Sequence, residues 1–180
     1  MVYIILGTGF EEIEAVAPCD ILRRGGVEVQ YAGIGGTLIR GGNGITVQAD
    51  CTVEEMDLEA MEMIVLPGGM GGVRSILGSE TAMTAVKAAY EQGKFVTAIC
   101  AAPTILAKLH ITDGEHATVY PGMESEMGTA MMEDINAIRD GKVLTGRAPG
   151  AALDFGYLLL EALKGTEVMQ KVRNGMVYKY

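Results

Sequence analysis

Phe95-Val96-Thr97-Ala98-Ile99-Cys100-Ala101-Ala102-Pro103 is the stretch on which the fold turns. Phe95–Ile99 reads as a buried strand and Ala101–Leu109 as the helix that follows. Cys100 therefore falls at a strand-to-helix turn. The same alternation recurs in both directions. Val2–Leu6 reads as a first buried strand, Gly7-Thr8-Gly9 as a turn, and Glu11–Arg24 as a helix. That helix has acids in its first turn, Arg23 and Arg24 in its last, Gly25 as its stop, and Pro18 inside to bend it. Val27–Ile34 is a second strand, and Met63–Leu66 a central one ending in Pro67-Gly68-Gly69. Between these two, the glycine-rich segment 33–50 reads as a hairpin or edge strands built on Leu38–Arg40 and Ile45–Gln48. Ser79 is a predicted N-cap for a helix running to Gln92. His116–Tyr120 and Lys142–Arg147 are further strands, and Ala151–Leu163 and Glu167–Asn174 are terminal helices. Short strands alternating with amphipathic helices predict a mostly parallel α/β sheet covered on both faces.

The whole chain, 1–180, is expected to be one domain, since two domains in 180 residues would each be small. Val, Ile, Leu, Ala and the 12 methionines must fill the core, because Trp is absent and Phe scarce. A formal charge of -9 argues against nucleic acid or an anionic membrane surface as a partner. Three scattered cysteines and two histidines supply neither a disulfide framework nor a structural zinc site. The apolar run at residues 2–6 is too short for a signal peptide or a membrane span. A soluble, cytoplasmic protein in a reducing compartment is expected.

In open α/β sheets, chemistry gathers at the carboxyl ends of the strands. Gly7–Glu14, Pro67-Gly68-Gly69 and Cys100 all fall at such ends. A cysteine beside an apolar strand is often only a small buried hydrophobe. At this turn, however, free amides and the start of a helix favour the thiolate. Glu14 lies among Ile13, Ala15, Val16 and Ala17. An acid in the first turn of a helix usually faces water, but an inward carboxyl there would have a raised pKa and could serve a thiolate as proton donor. Gly68 and Gly69 can present backbone N–H groups to an oxyanion, although the same glycines also suit an ordinary turn. Two motifs fail. Gly7-Thr8-Gly9 has Glu12 where a dinucleotide fingerprint needs its third glycine, and no Lys-Ser/Thr pair follows the Gly33–Gly44 glycines. Cys19 and Cys51 are expected to be structural or incidental.

Four segments carry a resemblance: Gly9-Phe10-Glu11-Glu12-Ile13-Glu14, Val65-Leu66-Pro67-Gly68-Gly69, Ala98-Ile99-Cys100-Ala101-Ala102-Pro103 and Arg147-Ala148-Pro149-Gly150. In these residues the chain resembles the ThiJ/PfpI superfamily, which includes the parkinsonism-associated protein deglycase and bacterial ThiJ-like proteins. The resemblance implies a flavodoxin-like three-layer sandwich, commonly a homodimer. It further implies cofactor-free conversion of 2-oxoaldehydes or their early adducts, or redox sensing through cysteine oxidation. By that resemblance Cys100 matches the nucleophile, Glu14 the acid hydrogen-bonded to its sulfur, and Gly69 and Ala101 the oxyanion amides. Ala101 stands where protease-like members carry His, which argues against peptidase chemistry. Ala102 stands where glycine is frequent. Tyr120 stands where deglycase-like members often carry a His, so its hydroxyl is a candidate for contact with the small carbonyl substrate. His116 lies about 13 Å further back along an extended strand and cannot replace it.

Overall fold

Every residue of Val2–Leu6 is buried in β1, as a strand covered on both faces requires. In this computed structural model, which describes residues 1–179, α1 (Glu12–Arg24) and β2 (Val29–Gly33) follow. Next come β3 (Leu38–Arg40), β4 (Thr46–Gln48) and β5 (Cys51–Thr52). The middle of the chain supplies β6 (Met63–Leu66), α2 (Met70–Leu77), α3 (Glu80–Glu91), β7 (Phe95–Ile99) and α4 (Pro103–Lys108). It continues as β8 (His116–Ala117), β9 (Met131–Met132), β10 (Ala137–Asp140), β11 (Val143–Gly146), α5 (Ala152–Lys164) and α6 (Thr166–Gly175).

Seven strands form the main sheet in the order β10-β11-β7-β6-β1-β2-β5. All its pairings are parallel except that of β10 with β11. From the centre, β1 to β2 steps toward one edge and β6 to β7 toward the other. Right-handed crossovers therefore put α1 on one face and the α2–α3 pair on the opposite one. On the first face α5 packs against α1, and α6 packs against α5. The close approach needs Gly156 of α5, where a Cβ would stand 2.7 Å from Ile21 Cδ1 and 3.1 Å from Pro18 Cα. The result is the expected three-layer, mostly parallel sandwich. The winding order of the parallel strands reverses between β1 and β6, and the crevice of such a fold opens at the carboxyl ends of these strands.

Some boundaries differ from expectation. The predicted hairpin is present, with β3 antiparallel to β4. The predicted strand His116–Tyr120 shrinks to His116–Ala117 and pairs with β9 in a small separate sheet. Beyond it the Thr118 N–H is taken by the Thr145 hydroxyl at 2.9 Å, a side-chain partner that ends the ladder. The helix after Cys100 begins at Pro103 and not at Ala101, because Ala101 and Ala102 are spent in the turn. α1 runs through Pro18 without interruption. Among the described residues, no helix is long and apolar enough to cross a membrane.

Candidate active site

Cys100 takes φ of 66°, a left-handed conformation that few non-glycine residues adopt. The turn is held on both sides. Its N–H donates to the Gly146 carbonyl on β11 at 2.9 Å, and its carbonyl accepts the Tyr120 N–H at 2.8 Å. The residue is buried, only 7% exposed.

Glu14 reaches the same point from α1. It is wholly buried (0% exposed), so the first-turn acid faces inward and not into water. Its Oε2 accepts the Gly68 N–H at 2.8 Å. Its Oε1 is buried without a hydrogen-bond partner among the described residues, and the carboxyl lies beside the Cys100 thiol. Gly68 makes this meeting sterically feasible: a Cβ there would stand 2.7 Å from both the Cys100 Cβ and Glu14 Oε2. Gly69 follows in a left-handed conformation, φ 79°, where a Cβ would meet Glu11 N and Gly9 O at 2.6 Å. The backbone N–H groups of Gly69 and Ala101 lie beside the sulfur and favour its charged form. Gly68 therefore serves the acid, while Gly69 and Ala101 serve the sulfur.

Burial pushes Glu14 up to about 7, against the pull of its hydrogen bonds to Cys100 and Gly68. Burial, the Glu14 charge and the hydrogen bond to Glu14 push the Cys100 thiol up to about 12, with Gly69 and Ala101 pulling the other way. This corrects the expectation that the turn by itself favours a thiolate. α4 has six residues and is a weak dipole, whereas a carboxylate in a low-dielectric wall is a strong opponent. The two groups form a coupled pair whose first proton leaves near neutrality.

Tyr120 is half exposed, and it meets Cys100 through its backbone N–H and not its hydroxyl. His116 binds Glu133 Oε1 and His110 binds Asp113 Oδ2, at 2.8 and 2.9 Å, on the exposed surface. No group of three or more His, Cys, Asp or Glu among the described residues is arranged to hold a metal ion. Sequence reasoning passed over Glu12, which reads as one acid in a surface run. It is buried beneath the β3–β4 hairpin, and a buried carboxylate is found only where donors surround it.

The arrangement has known counterparts. The model of the DJ-1/PfpI family matches residues 1–162. Protein dj-1beta of Drosophila melanogaster is 32% identical over 98% of this chain and 96% of its own length. A protein of Pyrococcus abyssi named as a deglycase is 33% identical over 83% of this chain and 90% of its own. The structure of oxidized Toxoplasma gondii DJ-1 superposes with a TM-score of 0.94 at 31% identity, covering 99% of this chain and 98% of that one. Match, identity and superposition extend across the elements that carry Glu14, Gly69 and Cys100, and the chain belongs to the DJ-1/PfpI family.

Proposed function

We propose that the protein is a cysteine-dependent, cofactor-free enzyme of the glyoxalase or deglycase kind, acting on 2-oxoaldehydes or their early adducts. The observation that carries this reading is the wholly buried Glu14 carboxyl set against the Cys100 sulfur, with two backbone N–H groups beside the same sulfur. The deglycase name borne by the Pyrococcus relative points the same way.

In this reading the Cys100 sulfur adds to the aldehyde carbon and the thiol proton passes to the carbonyl oxygen, giving a hemithioacetal. The Gly69 and Ala101 amides stabilise the negative charge that develops on that oxygen. The Glu14 carboxylate removes the proton from the carbon bonded to sulfur, and the freed electron pair passes to the neighbouring carbonyl oxygen, giving an enediolate whose second oxygen takes the hydroxyl proton of the first. Glu14 returns its proton to the neighbouring carbon, leaving a thioester beside the new hydroxyl. Water then breaks the carbon–sulfur bond and releases a 2-hydroxy acid and the thiol. One carbon is oxidised and its neighbour reduced, so no external oxidant is consumed. The half-exposed Tyr120 is assigned to contact with the substrate at the mouth.

The test is lactate formation from methylglyoxal by the purified protein. Lactate is expected from the wild type and not from Cys100→Ser; equal rates in the two would overturn the reading.

A second reading is oxidative sensing or protection through Cys100, favoured by the oxidized state in which the Toxoplasma relative is known. A protonated Glu14 can donate to a sulfinate formed there. After mild peroxide, mass spectrometry should find two added oxygens confined to Cys100; oxidation spread over the methionines would count against it. We further propose a cytoplasmic homodimer, supported by the free state of all three cysteines and by exposed Ile13, Val16 and Ile45. Val16→Glu should halve the mass seen by sedimentation, and an unchanged mass would refute this face.

A further inference from the structure

Glu12 is the second buried carboxylate of α1, and the proposed chemistry does not use it. Its Oε1 accepts the backbone N–H groups of Asn43 at 2.8 Å and Ile45 at 3.2 Å. Its Oε2 accepts the Asn43 side-chain amide at 3.0 Å. These donors form the tip of the β3–β4 hairpin, which Glu12 thus ties to the start of α1. Two backbone bonds complete the tie, Gly9 N–H to the Arg40 carbonyl and Gly42 N–H to the Phe10 carbonyl, each 2.8 Å. Gly41 is shaped for the tie as well, since a Cβ there would stand 2.3 Å from Glu12 Oε1.

Residues 9–11, held in this way from outside, are the wall against which the sulfur-binding turn rests from inside. The Glu11 N–H donates to the Gly68 carbonyl at 3.0 Å. Gly9 O and Glu11 N leave no space for a Cβ at Gly69. Gly68 donates to Glu14 and the Gly69 amide lies beside the sulfur, so a shift of this wall moves both amides at once. We infer that Glu12 is a positioning residue: by clamping residues 41–45 it fixes the Gly9–Glu11 wall and, through it, the Gly68 and Gly69 amides at Cys100. The inference rests on the glyoxalase-type reading only for its kinetic readout.

The clamp separates by atom. Glu12→Gln keeps one side-chain oxygen for both backbone N–H groups, whereas Glu12→Ala removes every acceptor. Gly41→Ala should push the carboxyl aside without deleting it, because the atoms it meets, Oε1, Cδ and Cγ of Glu12, all belong to one flexible side chain. Hydrogen exchange is read by mass spectrometry on segments 41–45 and 66–72, and kcat and KM are read on methylglyoxal. For Glu12→Ala, exchange is expected to rise about tenfold or more in both segments. Its kcat should fall about a hundredfold with KM little changed. Glu12→Gln should restore both readouts, and Gly41→Ala should add nothing in the Glu12→Ala background. Faster exchange at 41–45 alone with full kcat, failure of Glu12→Gln to restore, or additive effects with Gly41→Ala would each overturn the inference. If the wild type itself forms no lactate, the glyoxalase reading fails while exchange at 66–72 still decides the clamp.

Discussion

Cys51, at the edge of the main sheet, and Cys100, at its middle, each sit among acids, yet their surroundings differ in kind. Cys51 lies on β5, half-buried, with its sulfur 3.8 Å from the Tyr31 carbonyl. Burial, Glu55 and Asp50 all push its thiol up, and among the described residues no N–H group offsets them. Cys100 is the more buried of the two, and its thiol too is pushed up. Its acid, however, is buried with it and is pushed up to about 7, and two amides beside the sulfur pull its thiol down. The comparison teaches that, on the proposed reading, exposure is not what sets Cys100 apart. What distinguishes Cys100 is a neighbour able to hold or give up a proton at working pH, together with fixed dipoles for the charge that follows.

The sharpest way to break the comparison is to remove each sulfur. Cys100→Ser should lower lactate formation from methylglyoxal at least about a thousandfold, whereas Cys51→Ser should leave it unchanged. A comparable loss from both would erase the distinction. Glu14→Gln keeps the shape and removes the base, and should lower kcat about a hundredfold or more. In the wild type, kcat should fall as pH drops through about 7, where Glu14 takes its proton, and this limb should vanish in the variant.

A smaller effect concerns stability. Glu14 moves from 4.5 to about 7 on folding, so the folded state holds the proton more tightly. The stability this contributes is fully present below 4.5 and is lost as pH rises through about 7. A shift of this size is worth about 3 kcal/mol. Glu14→Gln should therefore match the wild type in urea denaturation near pH 4 and exceed it by about that amount at pH 8. Equal curves at both pH values would mean that Glu14 is not the buried acid described. Smallest of all, alkylation at neutral pH should be slow at Cys51 and insensitive to Glu14→Gln. At Cys100 it should quicken when that charge is removed, because the carboxylate is one of the causes holding the thiol up.

The centre of the sheet was legible because burial on both faces demands uninterrupted apolar runs. β1, β6 and β7 have the boundaries their residues predict. α2 was not anticipated, since Gly71 and Gly72 are poor helix formers. They are there because a Cβ at either would stand 2.8 Å from the Gly9 or Phe10 Cα. β5, β9 and β10 are two to four residues long and lack a readable period. At the site, the meeting of Cys100, Glu14 and Gly69 could be read from their places at strand ends. The thiol's upward shift could not, because it depends on how completely water is excluded around Glu14, and that is decided by Gly68 and the packing about it. Nor could the task of Glu12, whose partners lie more than thirty positions along the chain.

The left-handed backbone at Cys100 has a consequence for anyone breeding sturdier versions of this molecule. A non-glycine residue in that conformation costs on the order of 1 kcal/mol, and the buried acid beside it adds its own burden at neutral pH. Glycine at position 100 would relieve the first and glutamine at position 14 the second. A screen that rewards heat resistance alone would thus enrich both replacements and return a library of durable, inert proteins. Selection on this scaffold has to be scored by reactivity first and by melting temperature second.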